Sequence, residues 1–507
     1  MLKEKAIFSV GALALSDKPS GGYSEVYWIL QGFSPIRIRY HRLGNHIILH
    51  VFLGEKIISY DVNHGFYGDI FTLRLFFPLK VQKGKDIVKR LTEKATRKLL
   101  LKALTDLILE FGEVAYSLVF TSEFIIEYLL SKKQRPYGIV DFLTIEYINN
   151  IEKTLKLISS RVKKVLDSLC EEGILVKMVK NGREYYKANE KFVSYTLKHP
   201  YYVISKVKST FTDLLVNILP KINIDLLLRT IVQSSPYPRY PCINPYTKIY
   251  ITLPDGSIRP LELRLRNIKI YPLAKLGSSI LNDVVVARMG DENGGRVIVK
   301  KYREVKEVKW IPVTLWLGFR ENFTPDPLER MAREFYTTHI LGGYGFYTPV
   351  IHYADWSNRV MVREFIEGEP LSVTIGKRGL ESVSDLYFQV GEITAKIHQT
   401  GLSIGDYKPS NIIVSLDNKL YIIDLEQAST KRSVSWDIIE FLSFTAINAK
   451  YRWGIIKELY NSFVNGYLIG GGDLKVLEEA FKPNYIRVFT PLVPLNILVK
   501  MKGELRQ

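Results

Sequence analysis

The hydrophobic pattern of residues 1–90 is that of β-strands. Three stretches, YSEVYWILQGF, IRIRYHRLGNHIILHVFLGEKIISYDV and IFTLRLFFPLKV, show alternation or short β-branched runs bounded by Gly, Asn and Pro. The opening MLKEKAIFSVGALALS looks superficially like a signal peptide, but it too predicts a strand. We therefore expect a β-rich domain over residues 1–90, with its aromatic residues in a core and no catalytic cluster.

Residues 91–192 follow with a helical pattern. The stretch KDIVKRLTEKATRKLLLKAL predicts a basic amphipathic helix whose charge is typical of a solvated face. Over about residues 135–192, TLKLISSRVKKVLDSLCEEGILVKMVKNGREYYKAN predicts helix, turn, helix and a two-stranded ribbon. Ser159-Ser160 would cap the second helix, Gly173 would end it, and Asn181-Gly182 would turn the ribbon. This order resembles a winged helix-turn-helix.

Residues 193–267 join the two halves of the chain. The stretch HPYYVISKVKSTFTDLLVNILPKINIDLLLRTIV predicts a helical connector, and SSPYPRYPCINPYTK is a linker rich in proline and tyrosine. Pro254-Asp255-Gly256 predicts a turn.

From residue 268 the apolar positions predict strands and helices in a definite order: a strand in VIVKKYRE, a helix in PDPLERMAREFYTTHIL, a strand in VMVREFIEGEPL, a helix in AKIHQTGL and a hairpin in NIIVSLDNKLYIID. Asp326 and Pro327 would begin the first helix, and Gly401 would end the second. Asp417-Asn418 would form the turn of the hairpin.

The chemistry lies around that hairpin. Asp406 and Asn411 have a D-x-x-x-x-N spacing, and Asp424 follows the second apolar strand. Phosphoryl transfer needs a carboxylate near the attacking hydroxyl and oxygen ligands that hold Mg²⁺ on the phosphates. Asp406 fits the first role, while Asn411 and Asp424 fit the second. Lys408 could meet the γ-phosphate. The alternative is a surface loop with unrelated acids, but the I-I-D at hairpin distance favours the site.

Upstream residues supply candidates for nucleotide binding. Lys300 on the VIVKKYRE strand could pair with the α- and β-phosphates, and Lys301 is the alternative because strand neighbours point to opposite faces. Glu334 on the next helix is the candidate partner of Lys300, unless it pairs with Arg330 at i, i+4 on a solvated face. Adenine would bond backbone atoms near Glu364–Ile366.

These motifs resemble the protein-kinase superfamily, above all its atypical branch of RIO and Bud32/piD261-type kinases and related archaeal kinases. The shared order is a lysine strand, a helix glutamate, E-x-x-x-G-x-P-L, I-H-x-x-G, G-D-x-K-P-S-N and I-I-D, over about residues 268–450. The resemblance implies a two-lobed kinase fold, with an N-lobe at about 268–368 and a C-lobe at about 369–507. It also implies ATP, Mg²⁺ (Mn²⁺ could replace it) and transfer to serine or threonine of a protein.

The chain departs from the family pattern in several places. Ile404 stands where His or Tyr is usual, and the third motif is D-L-E, in which Glu426 replaces a glycine and restricts the backbone. The phosphate-covering loop offers only Gly277, with Ser279 and Asn282 where further glycines would stand. No A-P-E element precedes Asp437, so the long segment that seats peptide substrates is missing.

Two residues flank the candidate loop. His398 is expected to be a packed, structural histidine. Asp437, at the start of DIIEFLSF, either steadies the loop from below or is an ordinary helix cap.

Composition narrows the class of protein. With 507 residues and 47% hydrophobic content, the chain is expected to fold into several globular domains. Two cysteines, Cys170 and Cys242, cannot form a disulfide framework, which favours a reducing cytoplasm. The most apolar run, Leu104–Leu130, is interrupted by acidic residues, so no membrane span is predicted.

The net charge of +18 favours a nucleic-acid partner, RNA or DNA, for the winged helix. Its candidate contacts are Arg161, Lys163, Lys164, Lys180 and Arg183. The alternative is a winged helix used for protein contact.

The sequence as a whole predicts an α+β multidomain protein: a β-rich region, a winged helix and a kinase-like domain over residues 268–507. The expected function is that of a cytoplasmic serine/threonine kinase. Two alternatives stay open: a nucleic-acid-binding regulator with an ATP-bound switch or ATPase, and a small-molecule kinase.

Overall fold

The structure is a computed structural model. It describes residues 3–16, 19, 21–32, 34–133, 142–199, 243–263, 269–278, 281–290, 294–303 and 323–505. The chain divides into two compact units, Met1–Thr252 with Ile258–Leu261, and Leu253–Ser257 with Glu262–Gln507. Both are mixed α/β, and four sheets are formed by the described residues. Elements are numbered below over those residues.

The first sheet has the order β3-β4-β2-β1-β5, with β2 and β4 parallel and the other pairs antiparallel. Its strands are β1 Glu4–Gly11, β2 Gly22–Leu30, β3 Arg37–Leu43, β4 His46–Gly54 and β5 Leu79–Lys83, accompanied by helices α1 Ala12–Leu15, α2 Glu55–His64 and α3 Ile70–Phe76. The predicted strands in EKIISYDV and IFTLRLF are therefore wrong. Ile57, Ile58, Asp61 and Val62 are buried at helical spacing on α2.

The second sheet has the order β10-β9-β6-β8-β7 and is antiparallel throughout. Its strands are β6 Leu118–Phe120, β7 Leu175–Lys180, β8 Arg183–Ala188, β9 Ile249–Thr252 and β10 Ile258–Pro260. The helices of this region are α4 Lys85–Phe111, α5 Ser122–Lys133, α6 Phe142–Asn149, α7 Ile151–Glu171 and α8 Glu190–Lys198, and 3₁₀ turns lie at 112–117 and 245–248. The expected connector and linker fall largely in 200–242 and 264–268, outside the described residues.

The predicted helix start at Ser159 is wrong, because α7 runs unbroken through that position. The Ser159 hydroxyl donates to the carbonyl of Leu155 in its own helix instead of capping a new one. The predicted helix end and hairpin turn are confirmed: Gly173 has φ 74°, and Asn181 and Gly182 have φ 51° and 71°. The helix before the ribbon is thus longer than expected.

The second unit begins with an antiparallel sheet of order β11-β12-β13-β15-β14, and one long helix accompanies it. These elements are β11 Ile270–Ser278, β12 Asn282–Met289, β13 Arg296–Tyr302, α9 Pro327–Gly343, β14 Ile351–Asp355 and β15 Val360–Glu364. The predicted strands and the predicted helix of this region are confirmed, including its start at Pro327 after Asp326.

The rest of the second unit is mostly helical around a three-stranded sheet of order β16-β17-β18. A 3₁₀ turn lies at 409–411, and the other elements are β16 Gly368–Pro370, α10 Leu371–Lys377, α11 Leu380–Gln399, β17 Ile412–Ser415, β18 Leu420–Ile422, α12 Ser435–Asn448, α13 Trp453–Ile469, α14 Leu474–Ala480, α15 Pro483–Phe489 and α16 Leu495–Glu504. A large apolar core fills this region. The predicted hairpin is confirmed.

Two glycines let helices α11 and α13 pack at close range. A Cβ at Gly391 would lie 2.2 Å from the carbonyl oxygen of Phe463, and one at Gly466 would lie 2.0 Å from that of Phe388. The pair fixes α11, which leads directly into the candidate loop. Within the described part of the chain, no helix combines the length and apolarity needed to cross a bilayer.

Candidate active site

Strand alternation places Lys300 inside and Lys301 outside. Lys300 is 2% exposed, whereas Lys301 is exposed to solvent. The Lys300 Nζ lies 2.6 Å from Oε2 of Glu334 on α9. Burial alone would lower the pKa of Lys300, but Asp424, Glu334 and Glu426 outweigh it and raise that pKa. The predicted strand register is confirmed, and the ammonium is charged.

Helix α9 delivers Glu334 to this lysine. Asp326 caps the helix by accepting hydrogen bonds from two backbone N–H groups of its first turn. The Tyr302 hydroxyl donates to Glu334 at 2.7 Å, and Arg363 lies 3.2 Å from the other carboxylate oxygen. Glu334 is therefore held from three sides, as a fixed partner for Lys300 requires.

The alternative pairing of Glu334 with Arg330 is not formed. Arg330 is buried and donates to the carbonyl oxygens of Leu281 and Arg303 and to the Asn282 side chain. Although Arg330 and Glu334 are four residues apart on α9, they do not pair, because the Arg330 guanidinium points toward Asn282 at the start of β12.

Asp424 follows β18 with a left-handed backbone, φ 63°. Its carboxylate accepts a hydrogen bond from Lys300 at 2.5 Å. Burial would raise the pKa of this carboxyl, but Lys300, Arg363 and Lys408 outweigh it and lower the pKa to about 2. Asp424 is therefore an anion at neutral pH, as a metal ligand must be.

Glu426 is a member of the site that the sequence interpretation did not assign. Its carboxylate lies 2.9 Å from the Lys300 Nζ and 3.5 Å from Arg330, and it accepts a hydrogen bond from Asn282 at 2.8 Å. Burial raises its pKa. The one signal in the sequence was an acid at a position where the family pattern has glycine.

The D-x-x-x-x-N loop is compact. The Asn411 side chain donates to the Asp406 carbonyl at 2.8 Å and to its carboxylate at 3.2 Å, and the Lys408 Nζ lies 3.0 Å from the same carboxylate. Pro409 opens the 3₁₀ turn that brings Asn411 back. The structure thus brings Asp406, Lys408 and Asn411 together.

Asp437 holds the backbone that leads into this loop. It is fully buried, and its carboxylate accepts from the backbone N–H of Ile404 at 2.6 Å and of Gly405 at 2.8 Å, and from the Ser403 hydroxyl at 2.9 Å. The His398 Nε2 lies 3.2 Å away. Of the two roles open for Asp437, the structure favours the brace, and His398 is packed as expected.

The short segment after Asp424 is fastened to the start of α9. The Gln427 side chain both donates to and accepts from the backbone of Thr324, at 3.1 Å each. Arg333 donates to the carbonyl of Ala428 at 3.3 Å. Gly405 lies against this segment, where a Cβ would be 2.3 Å from the Gln427 carbonyl oxygen.

The remaining candidates for nucleotide binding lie in or near the β11–β15 sheet. Gly277 is in β11, opposite Val284, and Ser279 lies outside the described residues. Glu364 ends β15, and its carboxylate accepts from the Val350 backbone at 3.1 Å. Ile366 follows two residues later, half-buried.

The five basic candidates of the first unit do not form one exposed patch. Arg161 points inward and donates to the carbonyl of Phe76, and burial lowers its pKa to about 10. Lys163 lies 2.7 Å from Glu184, and Lys164 lies 3.9 Å from Glu93. Lys180 and Arg183 flank the exposed turn of the β7–β8 ribbon. Arg161 therefore supports the fold and does not reach a partner.

The oxygen donors suit a magnesium ion. Carboxylate oxygens of Glu334, Asp424 and Glu426 lie within 4.8 Å of one another, but all three surround the Lys300 ammonium, and of these acids only Asp424 is partly exposed. Both hydrogen bonds of the Asn411 amide use its nitrogen, which leaves its oxygen available. Hard oxygen donors are the ligands that Mg²⁺ prefers, so Asp424 and Asn411 fit the ion.

A buried lysine–glutamate pair beside a lone aspartate and a D-x-x-x-x-N loop is the arrangement of a kinase-type phosphotransferase. No protein-family model matches the chain. It is 29% identical over 27% of its length to a probable serine/threonine-protein kinase BUD32 homolog of Archaeoglobus fulgidus. It is 27% identical over 29% of its length to the KEOPS complex subunit Bud32 of Pyrococcus abyssi.

A third relative is a probable bifunctional tRNA threonylcarbamoyladenosine biosynthesis protein of Methanocaldococcus jannaschii, 25% identical over 30% of this chain and 27% of that protein. The matches span 64% and 66% of the first two relatives. These similarities support the Bud32 side of the resemblance and a kinase-type enzyme.

Proposed function

We propose that this protein is an ATP- and Mg²⁺-dependent phosphotransferase, acting as an atypical serine/threonine protein kinase of Bud32 type. The observation that supports this most directly is the buried Lys300–Glu334 pair, 2.6 Å apart, beside Asp424. In the kinase arrangement, a lysine that pairs with a helix glutamate beside a metal-binding aspartate orients the phosphates of the nucleotide.

In this proposal each side chain has one task. Lys300 orients the α- and β-phosphates, and backbone atoms near Glu364–Ile366 bond adenine. Asp424 and Asn411 would hold Mg²⁺, which offsets charge on the phosphates. Asp406 accepts the proton of the attacking hydroxyl as its oxygen bonds to the γ-phosphorus and the bond to the β-phosphate oxygen breaks. Lys408 faces the charge that develops on the γ-phosphoryl group.

The test is transfer of a labelled γ-phosphate, with the Asp406→Ala and Asp424→Ala variants as controls. We expect label on protein with the wild type and none with either variant. Nucleotide binding should survive Asp406→Ala better, because of these two aspartates Asp424 is the proposed metal ligand. Unchanged turnover in both variants would refute the proposed site.

A second candidate function is nucleotide hydrolysis in the service of tRNA modification. The name of the Methanocaldococcus relative, a tRNA threonylcarbamoyladenosine biosynthesis protein, favours the link to tRNA modification, and the Pyrococcus relative is a KEOPS complex subunit. The same assay separates the candidates. Free phosphate that increases with tRNA, without label on protein, would support hydrolysis, and label on a metabolite would point to a small-molecule kinase.

We further propose that the region around α7 and the β7–β8 ribbon contacts nucleic acid, as a winged helix would. Its support is the net charge of +18 together with exposed lysines along α7. A protein partner at this surface is the alternative.

A further inference from the structure

Lys300 contacts one carboxylate more than the proposed transfer requires. Oxygens of Glu334, Asp424 and Glu426 lie 2.6, 2.5 and 2.9 Å from its Nζ. An ammonium has three N–H groups. Lys300 donates hydrogen bonds to Glu334 and Asp424, and Glu426 is in ion-pair contact beside it. A nucleotide phosphate must compete for the same donors.

Two of the three acids have clear tasks, and Glu426 has none. Glu334 fixes the lysine from α9, and Asp424 is the proposed metal ligand, 31% exposed. Glu426 is 5% exposed and is held in place by Asn282 and Arg330. It is thus a fixed, buried carboxylate aimed at the phosphate-binding ammonium.

We propose that Glu426 is a positioning residue that orients Lys300 and limits how strongly the site attracts nucleotide phosphates. The inference rests on the proposed function. A carboxylate in contact with the ammonium offsets part of its charge, and a phosphate next to Lys300 is repelled by the same carboxylate at short range. Nucleotide affinity is thereby kept below what the lysine alone would give.

This role predicts an effect that depends on phosphate. Replacing Glu426 by Gln keeps the shape of the side chain and an oxygen that can accept from Asn282, but removes the charge. Affinity for ATP and ADP should rise, whereas affinity for adenosine, which has no phosphate, should stay unchanged. If Glu426 had a purely structural role, the substitution would lower the affinity for adenosine, ADP and ATP alike.

The experiment is calorimetric titration of the full chain with adenosine, ADP and ATP, with and without Mg²⁺. For Glu426→Gln we expect roughly 3- to 10-fold tighter ATP binding, which corresponds to about 0.7–1.4 kcal/mol. Asp417→Asn is the control. It removes one charge from an exposed acid in the β17–β18 turn and should leave the affinity for all three ligands unchanged.

Unchanged or weaker ATP binding by Glu426→Gln, with adenosine binding retained, would overturn this proposal alone. A wild-type chain that binds none of the three ligands would overturn it together with the proposed function. If Glu426→Gln does not fold, Glu426→Asp is used. Its shorter carboxylate retreats from Lys300, so ATP should bind more tightly than to the wild type, and equal affinity would contradict the idea.

Discussion

At the scale of single residues, Lys300 and Lys301 differ only in the face of β13 to which they point. We expect Lys300→Ala to lower phosphate transfer by about 10²–10³-fold, the range typical for loss of one charge-stabilising group. Lys301→Ala should leave the rate unchanged, because its side chain is exposed. Initial rates at saturating acceptor provide the measurement, and a larger loss from Lys301→Ala would reverse the assignment.

Asp437 is the residue on which the geometry of the candidate loop depends. Asp437→Asn loses acceptor capacity for the N–H groups of Ile404 and Gly405, and each buried donor left without an acceptor costs about 1–3 kcal/mol. We expect a lower free energy of unfolding and slower transfer, measured by urea titration and initial rates. Asp385→Asn, an exposed acid on α11, is the matched control. Equal stabilities of the two variants would argue against the brace.

At the scale of elements, α7 shows how a capping signal can mislead. Serine pairs favour helix starts, but both serines lie inside a helix whose buried positions include Thr154, Ile158 and Val162. Because the stripe of apolar residues continues across Ser159, packing keeps the helix intact. Packing also explains why the Arg161 side chain points inward. Its guanidinium lies against the Phe76 ring and donates to the Phe76 carbonyl.

Three lysines along α7, Lys153, Lys156 and Lys164, are exposed, and Lys164 lies 3.9 Å from Glu93. If this helix contacts nucleic acid, replacing the three by Ala should weaken RNA or DNA binding by roughly 10-fold or more and flatten its dependence on salt. Filter binding across a salt series measures both quantities.

The control for this helix is a triple replacement of Lys85, Lys89 and Lys94, exposed on α4, which changes the net charge equally. If the two triple variants lose affinity to the same extent, binding follows total charge and not α7. If the α7 variant binds as the wild type does, the helix serves a protein partner.

At the scale of the whole molecule, the chain has two compact units, and every residue of the proposed site belongs to the second. A ligand that binds only the folded state stabilises it by about 2.7 kcal/mol at one hundred times its Kd. We therefore expect Mg-ATP to raise the unfolding temperature of the second unit and leave that of the first unchanged.

Differential scanning calorimetry of the Asp406→Ala variant, which should bind without turnover, measures this effect. Asp424→Ala should show a smaller shift, because it lacks a metal ligand. An equal shift of both transitions would mean that nucleotide binding stabilises the first unit as well.

The sequence by itself determined the order of β13, α9, β15, α11 and the β17–β18 hairpin in the second unit, because their apolar periods, caps and turn residues are local signals. It also located Asp406, Asn411 and Asp424, whose spacing along one loop and hairpin fixes their proximity. The sequence alone left both Lys300 and Lys301 as candidates for the inner face of β13. The structure decided between them, because it buries Lys300 and exposes Lys301.

Only the tertiary structure revealed Glu426 as a partner of Lys300, because the two are far apart in the sequence and meet through packing of separate elements. For Asp437 the structure decided between the two roles that the sequence left open. Packing also decided α2 and α3, where strands were predicted, and the inward position of Arg161. In each case long-range burial and hydrogen bonding outweighed a local pattern, since a buried polar group must find its partner wherever the fold brings one.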